Sequence, residues 1–343
     1  MASLPRGLDL ILKDRLAEKF PDKLGLKIEN VEEMTQGWET DIFFVRFGYL
    51  QGSKAAHQDL VVRIYGEGSV SSAQFHKDAY FLHELAKHGI RVPRVELMVS
   101  RDNDAQPALV LERIRGESLG AHLKKATTTD RVTLISRMAA EFVRIHRLPW
   151  EDFADSAFLN VQLTEQSYVR ELIVDIGEAS ANYGLEEFIP LMDWLEERSP
   201  QAFTRPLQLL HNDYHPENIL VRDSDQEFVI LDWSFSDLGD YRMDLAWTVL
   251  LLGVSFGHGE RLRFLRSYED QVGATIDHLE FFEVLKFTQR MLTIATWLDE
   301  RVENPIKKIT KDALRGEYKV HVTNVYARLK HLTGIGLPSI ENL

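Results

Sequence analysis

The polar stretch Leu209–Asp240 holds side chains whose types and spacing could carry chemistry. Asp213 and Asn218 stand before a short apolar run, and Asp232 stands directly after the next one. If the two runs pair as an antiparallel hairpin, the three side chains converge at one end of it. Carboxylate and amide oxygens are ligands that Mg²⁺ accepts while it keeps water and substrate phosphates. The spacing therefore predicts a magnesium-phosphate site suited to phosphoryl transfer.

The same stretch contains HNDYHPEN at 211–218 and ILDW at 230–233. These motifs resemble the catalytic loop and the metal-binding aspartate of the aminoglycoside phosphotransferase/choline kinase family, small-molecule relatives of the protein kinases. The similarity extends from about Thr35 to Ala246, and its further segments are LVLERIRGESL at 109–119, FVRIHRLP at 142–149, Met192–Leu195 and Gly239–Ala246.

The resemblance implies an α+β, protein-kinase-like fold with two lobes. We expect a small antiparallel-sheet lobe that binds nucleotide, residues 1–113, and a larger, mostly helical lobe for catalysis and substrate binding, residues 114–343. The implied activity is transfer of the γ-phosphate of ATP to a hydroxyl of a small molecule, dependent on Mg²⁺. GTP as the donor remains open, and so do the identity of the acceptor and the oligomeric state.

The roles of the catalytic loop follow residue by residue from the resemblance. Asp213 would accept, or at least orient, the substrate hydroxyl, and Asn218 and Asp232 would ligate magnesium. The residues expected to support them are His211 and His215, which would brace the loop, and Asp244, which would tie the loop or cap a helix.

On the nucleotide side, Arg63 matches the position of the family's phosphate-binding cation, and arginine suits phosphate because it is permanently charged and bidentate. Its expected carboxylate partner is Asp78, with Glu84 as the less well-aligned alternative. Gly37 is the single glycine where protein kinases have a glycine-rich loop. Backbone groups near Glu112–Ile114 would read the adenine.

The composition of the chain restricts the other classes of protein to which it could belong. The chain has 343 residues, a net charge of −13 and no cysteine. The charge argues against nucleic acid or an anionic membrane surface as the main partner. The lack of cysteine excludes disulfides and thiol chemistry and fits a cytoplasmic protein. Neither a signal peptide nor a membrane-spanning segment is predicted.

The periodicity of apolar residues predicts the elements that position these groups. The predicted strands are Ile42–Phe47 and Asp59–Tyr65, joined by a long connection, then Arg94–Val99, Ala108–Glu112, and the hairpin Ile219–Val221 with Phe228–Leu231. The predicted helices are Gln74–Lys87, Arg131–Leu148, Glu165–Gly177, Leu191–Arg198, Asp244–Gly253, Leu279–Arg301 and Ile309–Leu332.

Two features outside the motifs have alternative interpretations. Eight acidic residues and no basic ones lie between Glu171 and Glu197, which is typical of a solvated helical face, with a site for a cationic hydroxylated acceptor as the alternative. Trp194, Trp233, Trp247 and Trp297 are interpreted as core residues, although one of them could stack on a substrate.

Two rival functions differ from a small-molecule kinase. A catalytically silent nucleotide-binding module would not need all three of Asp213, Asn218 and Asp232. A protein kinase is disfavoured because the sequence has no D-F-G or A-P-E segment and little room for an activation loop between Asp232 and Asp244.

Overall fold

The computed structural model of the protein describes residues 3–5, 7–34, 40–66, 69–100, 106–153, 158–159, 164, 167–202, 206–299 and 310–343. Gly37 lies outside the described residues. The chain divides into two compact units, residues 1–118 with 219–234 and residues 119–218 with 235–343. The boundary expected after residue 113 stays a prediction.

The strands are β1 (Lys23–Met34), β2 (Asp41–Gln51), β3 (Lys54–Ile64), β4 (Val95–Val99), β5 (Ala108–Glu112), β6 (Gly116–Ser118), β7 (Gln208–Leu210), β8 (Ile219–Arg222), β9 (Phe228–Ile230) and β10 (Asp237–Gly239). The helices are α1 (Leu8–Lys19), α2 (Ser69–Lys87), α3 (Leu119–Lys125), α4 (Thr128–His146), α5 (Tyr168–Asn182), α6 (Ile189–Arg198), α7 (Tyr241–Phe256), α8 (His258–Val272), α9 (Leu279–Leu298), α10 (Lys311–Arg315), α11 (Lys319–Thr333) and α12 (Pro338–Glu341).

An antiparallel sheet in the order β1-β2-β3-β5-β4 forms the body of the first unit. Its core includes inward residues of β2 and β3, such as Val45 and Val62, together with Leu8, Leu12 and Leu16 of α1. Those three leucines lie four residues apart, so they share one face of the helix. The predicted strands of this sheet are confirmed, whereas α1 and β1 have no counterpart among the predicted elements.

The expected long connection between β2 and β3 is wrong. The register pairs Gln51 with Lys54, which leaves only Gly52 and Ser53 as the turn. Gly52 has φ 64°, a left-handed conformation that glycine adopts without a steric penalty. The polar residues taken for a loop are the solvent-exposed ends of the two strands. Their exposure removes the apolar alternation by which a strand is recognised.

The second predicted hairpin is confirmed as β8 and β9, and β6 pairs antiparallel with β8 to complete a small sheet of the first unit. Asn218 comes directly before β8, and Asp232 follows the end of β9 by two residues. The hairpin thus gives the first unit Asp232, while the loop that ends in Asn218 belongs to the second unit.

Helices dominate the second unit, together with the short pair β7 and β10. α7 is buried on all sides from Arg242 to Leu250, and α8 and α9 pack against it. The helix predicted over Ile309–Leu332 is wrong as a single element, because the chain breaks it near Gly316 into α10 and α11. Glycine is a poor helix residue and accounts for the break. α8 is also absent from the predicted elements.

Glu283 of α9 ties three helices of this unit together. Its side chain is 1% exposed and lies 2.5 Å from Arg261 Nη2 of α8 and 2.6 Å from Arg328 Nη2 of α11. A buried carboxylate is tolerated only when it is paired and hydrogen-bonded. Glu283 therefore fixes α9, which carries residues of the candidate site, to its neighbours.

We expect Glu283→Ala to lower the free energy of unfolding by about 3 kcal/mol, because it leaves two arginines without their carboxylate. Urea unfolding would measure this loss. Glu280→Ala is the matched control on the exposed side of α9 and should cost at most about 1 kcal/mol. Equal effects of the two substitutions would contradict the assignment.

Candidate active site

The loop between β7 and β8 is held by one buried carboxylate. Asp244, near the start of α7, accepts hydrogen bonds from the backbone N–H groups of His211 (2.6 Å) and Asn212 (2.9 Å). His146 Nε2 of α4 lies 3.3 Å from the same carboxylate. Asp240, and not Asp244, caps α7 through the N–H of Arg242. Asp244 thus fixes the backbone of the two residues that precede Asp213.

Three donors surround the carboxylate of Asp213. Trp247 Nε1 lies 3.0 Å from Oδ1, Asn218 Nδ2 lies 2.9 Å from Oδ2, and His215 Nε2 lies 3.5 Å from Oδ2. The backbone N–H of Asp213 donates to His211 Nδ1 at 3.2 Å. Burial acts to raise the pKa of Asp213, but the bonds from His215 and Trp247 outweigh it and hold that pKa well below its ordinary value.

The low pKa has a chemical consequence. Asp213 is ionised at neutral pH and can accept a hydrogen bond from a hydroxyl group, yet such an anion is a weak general base. The arrangement suits orientation of a nucleophile more than early removal of its proton.

The amide of Asn218 is oriented by the same loop. Its Nδ2 donates to the backbone oxygen of Asp213 at 3.0 Å and to the carboxylate at 2.9 Å. Among the described residues, no donor bonds to Asn218 Oδ1. This oxygen is therefore available as a ligand for a hard cation.

In the first unit, Arg63 of β3 bridges two carboxylates. Its Nη1 lies 3.1 Å from Asp78 Oδ2 of α2, and its Nη2 lies 3.0 Å from Asp232 Oδ1. Arg63 Nε also donates to Thr40 Oγ1 at 3.0 Å. Glu84, the other partner considered for Arg63, instead pairs with Lys87 at 2.8 Å.

Asp78 is 1% exposed and also accepts a hydrogen bond from the hydroxyl of Tyr65. Burial raises the pKa of Asp78 to about 6, against the opposing charge of Arg63. A carboxylate withdrawn from water in this way depends on its cation. Asp78 therefore holds the guanidinium of Arg63 in a fixed position.

Asp232 adopts φ 61°, which is unusual for a residue with a side chain. Its Oδ1 accepts from Arg63 and from Ser234 Oγ at 2.9 Å. Oδ2 receives no hydrogen bond from the described part of the chain. Strained backbone at a polar residue is typical of functional sites.

The two positions expected to bind adenine, Glu112 and Ile114, differ in whether they are already hydrogen-bonded within the protein. Glu112 is engaged, since its side chain accepts from the backbone N–H of Arg94 at 2.9 Å and its own N–H donates to Arg94 at 3.0 Å. Ile114 lies between β5 and β6, and its backbone makes no hydrogen bond to any described residue. Ile114 thus leaves a donor and an acceptor for a ligand.

A cavity of about 390 Å³ lies in the second unit beside Asn212, the residue before Asp213. Its charged lining residues are Glu171, Asp175, Asp237 and Lys286. Two of these belong to the acidic run noted in the sequence, so that run is partly a cavity wall.

Sequence reasoning missed two side chains near Asp213. Trp247 is 8% exposed, as expected of a core residue, but its indole N–H bonds the carboxylate. Lys286, on a helix outside the resemblance, lies 3.4 Å from Asn212 Oδ1. Neither residue belongs to a motif, and no signal in one sequence distinguishes them from ordinary helix residues.

Residues 30–282 match the model of the APH family, the phosphotransferase enzyme family. The chain belongs to this family. No curated protein sequence matches it significantly. The family is one of small-molecule phosphotransferases, and the chain is accordingly a small-molecule kinase with an alcohol group as acceptor.

Solved structures of phosphotransferases have the same fold. The GDP and kanamycin complex of APH(2″)-IIIa gives a TM-score of 0.62 at 17% identity, covering 95% of this chain and 99% of that one. The streptomycin-ATP complex of APH(2″)-IIa gives 0.60 at 15%, covering 96% and 97%. Ethanolamine kinase of Plasmodium vivax gives 0.61 at 13%, covering 99% and 91%. The predicted protein-kinase-like α+β fold is confirmed.

Two kinds of feature are absent from the described residues. No helix there has the length and hydropathy to cross a membrane. No three histidine, cysteine, aspartate or glutamate side chains there are close enough together to hold a metal ion. The magnesium site expected from the sequence combines an amide with a carboxylate, so it differs from such a cluster.

We expect Asp244→Asn to loosen the catalytic loop, because the amide replaces one acceptor oxygen with a donor facing a backbone N–H. Hydrogen-exchange mass spectrometry of residues 209–218 should show faster exchange, and stability should fall by about 1–3 kcal/mol. Asp270→Asn, on the exposed face of α8, is the control. Unchanged exchange in the Asp244 variant would contradict the tethering role.

Proposed function

We propose that the protein transfers the γ-phosphate of ATP, with Mg²⁺, to a hydroxyl group of a small molecule. The observation that carries the proposal is the ionised carboxylate of Asp213, bonded by Trp247 and Asn218 within the HNDYHPEN loop. Phosphoryl transfer asks mainly for a positioned nucleophile and for charge stabilisation of the phosphate. Asp213 orients the acceptor hydroxyl and takes its proton late in the reaction.

The magnesium ion is assigned to Asn218 and Asp232. The donor set fits a hard cation, since each residue has one side-chain oxygen without a hydrogen bond from the described residues. Held by these two residues, the metal would supply positive charge that stabilises the phosphate during transfer. Asn218 contributes besides by keeping Asp213 oriented through its Nδ2 group.

Arg63 is proposed to bind the phosphates of the donor nucleotide. Its contacts with Asp78 and Thr40 support this role, because they leave the guanidinium little freedom to lose on binding. The backbone of Ile114 is proposed to read the base. Solved neighbours hold GDP in one case and ATP in another, so GTP is the alternative donor.

The acceptor is proposed to be hydroxylated and to carry an amine. Neighbouring structures are named for kanamycin, streptomycin and ethanolamine. The carboxylates of Glu171 and Asp175 on the cavity beside Asn212 support recognition of a positive charge. We also propose a cytoplasmic location, since a chain without cysteine suits a reducing compartment.

Release of ADP from MgATP, measured over a panel of hydroxylated metabolites and antibiotics, tests the function. With an accepted compound, Asp213→Asn should lower kcat at least about 100-fold and leave ATP affinity within about twofold. Asp223→Asn, in the exposed turn between β8 and β9, should match wild type. ATP binding without turnover in the wild type would favour the silent nucleotide-binding module instead.

Asp232→Asn should raise the Mg²⁺ concentration for half-maximal activity at least about tenfold, because it removes the charged ligand. Ser234→Ala removes only a hydrogen bond to the same carboxylate and should shift that concentration much less. Activity measured against Mg²⁺ at saturating ATP compares the two. Equal magnesium requirements in wild type and Asp232→Asn would refute the ligand role.

A further inference from the structure

Lys286 of α9 is a cation near Asp213 that the proposed phosphoryl transfer does not use. Its Nζ lies 3.4 Å from Asn212 Oδ1 and 6.0 Å from the ring centroid of Trp247, the residue that bonds Asp213. No carboxylate among the described residues comes within salt-bridge distance of this ammonium. Lysine withdrawn from water is normally paired.

The surroundings explain why this lysine is a candidate for ligand binding. It lines the cavity of about 390 Å³ together with Asn212 and Gln289. Burial lowers the pKa of Lys286, while the charges of Asp244 and Asp213 oppose that change. The ammonium is thus partly desolvated beside a space large enough for a small molecule, and an anion entering that space would restore the lost solvation.

Of two basic groups near Lys286 and Trp247, only Arg290 adds positive charge at neutral pH. Arg290 follows Lys286 by four residues, so both lie on one face of α9, and its Cζ is 6.0 Å from the centroid of Trp247. His321 of α11 packs edge-on against Trp247 at 6.1 Å. Burial and the charge of Arg290 lower the pKa of His321 to about 4, so this imidazole adds no positive charge at neutral pH.

Negatively charged side chains also line this cavity. Glu171 and Asp175 lie one turn apart on α5, are exposed, and line the space that Lys286 also lines. A purely cationic acceptor would satisfy these carboxylates but would be repelled by the ammonium of Lys286. A purely anionic acceptor would have the reverse problem. A molecule with both charges satisfies both walls.

We propose that the acceptor is a hydroxylated zwitterion whose carboxylate binds Lys286 and whose amine faces Glu171 and Asp175. This deepens, and rests on, the proposed phosphotransferase function. A single ammonium matches a monoanionic carboxylate, because lysine acts as one compact point charge. Lys286 is then a specificity-determining residue for the acceptor, distinct from Arg63, which serves the donor nucleotide.

The test uses four sugars with one ring and different charges: glucose, glucosamine, glucuronate and 2-amino-2-deoxyglucuronate. Ligand-observed NMR without nucleotide measures their dissociation constants. In the wild type, the amino acid sugar should bind at least about tenfold more tightly than glucosamine. Lys286→Met should abolish that difference, and Lys286→Arg should retain it in part. Lys54→Met, at an exposed position of β3, should behave as wild type.

The outcomes separate this inference from the proposed function. If wild type shows no preference for a carboxylate, or binds none of the four sugars, the inference is wrong even if ADP release occurs with another acceptor. If Lys286→Met weakens all four sugars equally, Lys286 is structural and the inference is also wrong. If the carboxylate preference depends on Lys286 but no compound stimulates ADP release, only the proposed function fails.

Discussion

The candidate site depends on the buried carboxylate of Asp244. The loop from His211 to Asn218 has little regular structure, and Asn212 within it adopts φ 65°. A backbone of this kind keeps one conformation only when its N–H groups are bonded. Asp244 is fully buried and bonds two successive N–H groups of the loop. Because α7 is buried on all sides from Arg242 to Leu250, close packing restricts this carboxylate and the loop bonded to it.

Further contacts hold the loop against α4 and α7. Tyr214, in the middle of the loop, donates its hydroxyl to the backbone oxygen of Met138 on α4 at 2.8 Å and stacks on Phe142 at 4.3 Å. Thr248, one turn after Asp244, donates to the backbone oxygen of Tyr214 at 2.8 Å. The loop from His211 to Asn218 is therefore held between α4 and α7, and the orienting role proposed for Asp213 requires no rearrangement of its side chain.

The charged groups of the candidate site are compensated to different degrees. Arg63 contacts two carboxylates, and Asp213 is surrounded by donors, so each charge is compensated within its own unit. Lys286 has no such carboxylate among the described residues. Desolvating an uncompensated charge costs free energy that a structural role would not require. The uncompensated charge of Lys286 lies where we propose that the acceptor binds.

The sequence predicts those elements whose apolar residues follow a clear local pattern. The hairpin β8–β9 and the strands β3 and β5 were predictable because short apolar runs bounded by turn residues mark them. The ion pair of Arg63 with Asp78 was predictable only through the family resemblance, which left Glu84 as an alternative partner. β1 has no fully buried residue, and α8 is mostly polar and buries only Glu260, Phe264 and Tyr268, so neither has enough apolar residues to mark it in the sequence.

The positions of Lys286 and Trp247, on the side where we propose that the acceptor binds, were not predictable for a different physical reason. Binding and transfer of a phosphoryl group impose the same few oxygens and cations on any acceptor, so those residues fall into motifs. Trp247 and Lys286 come from separate helices, and the packing of α7 against α9 brings Trp247 to Asp213 and Lys286 to the adjacent Asn212. Their neighbours in the sequence are ordinary helix residues. Packing, rather than local sequence, thus places Lys286 beside the loop, and under the proposed function an identical loop would accept molecules of different charge.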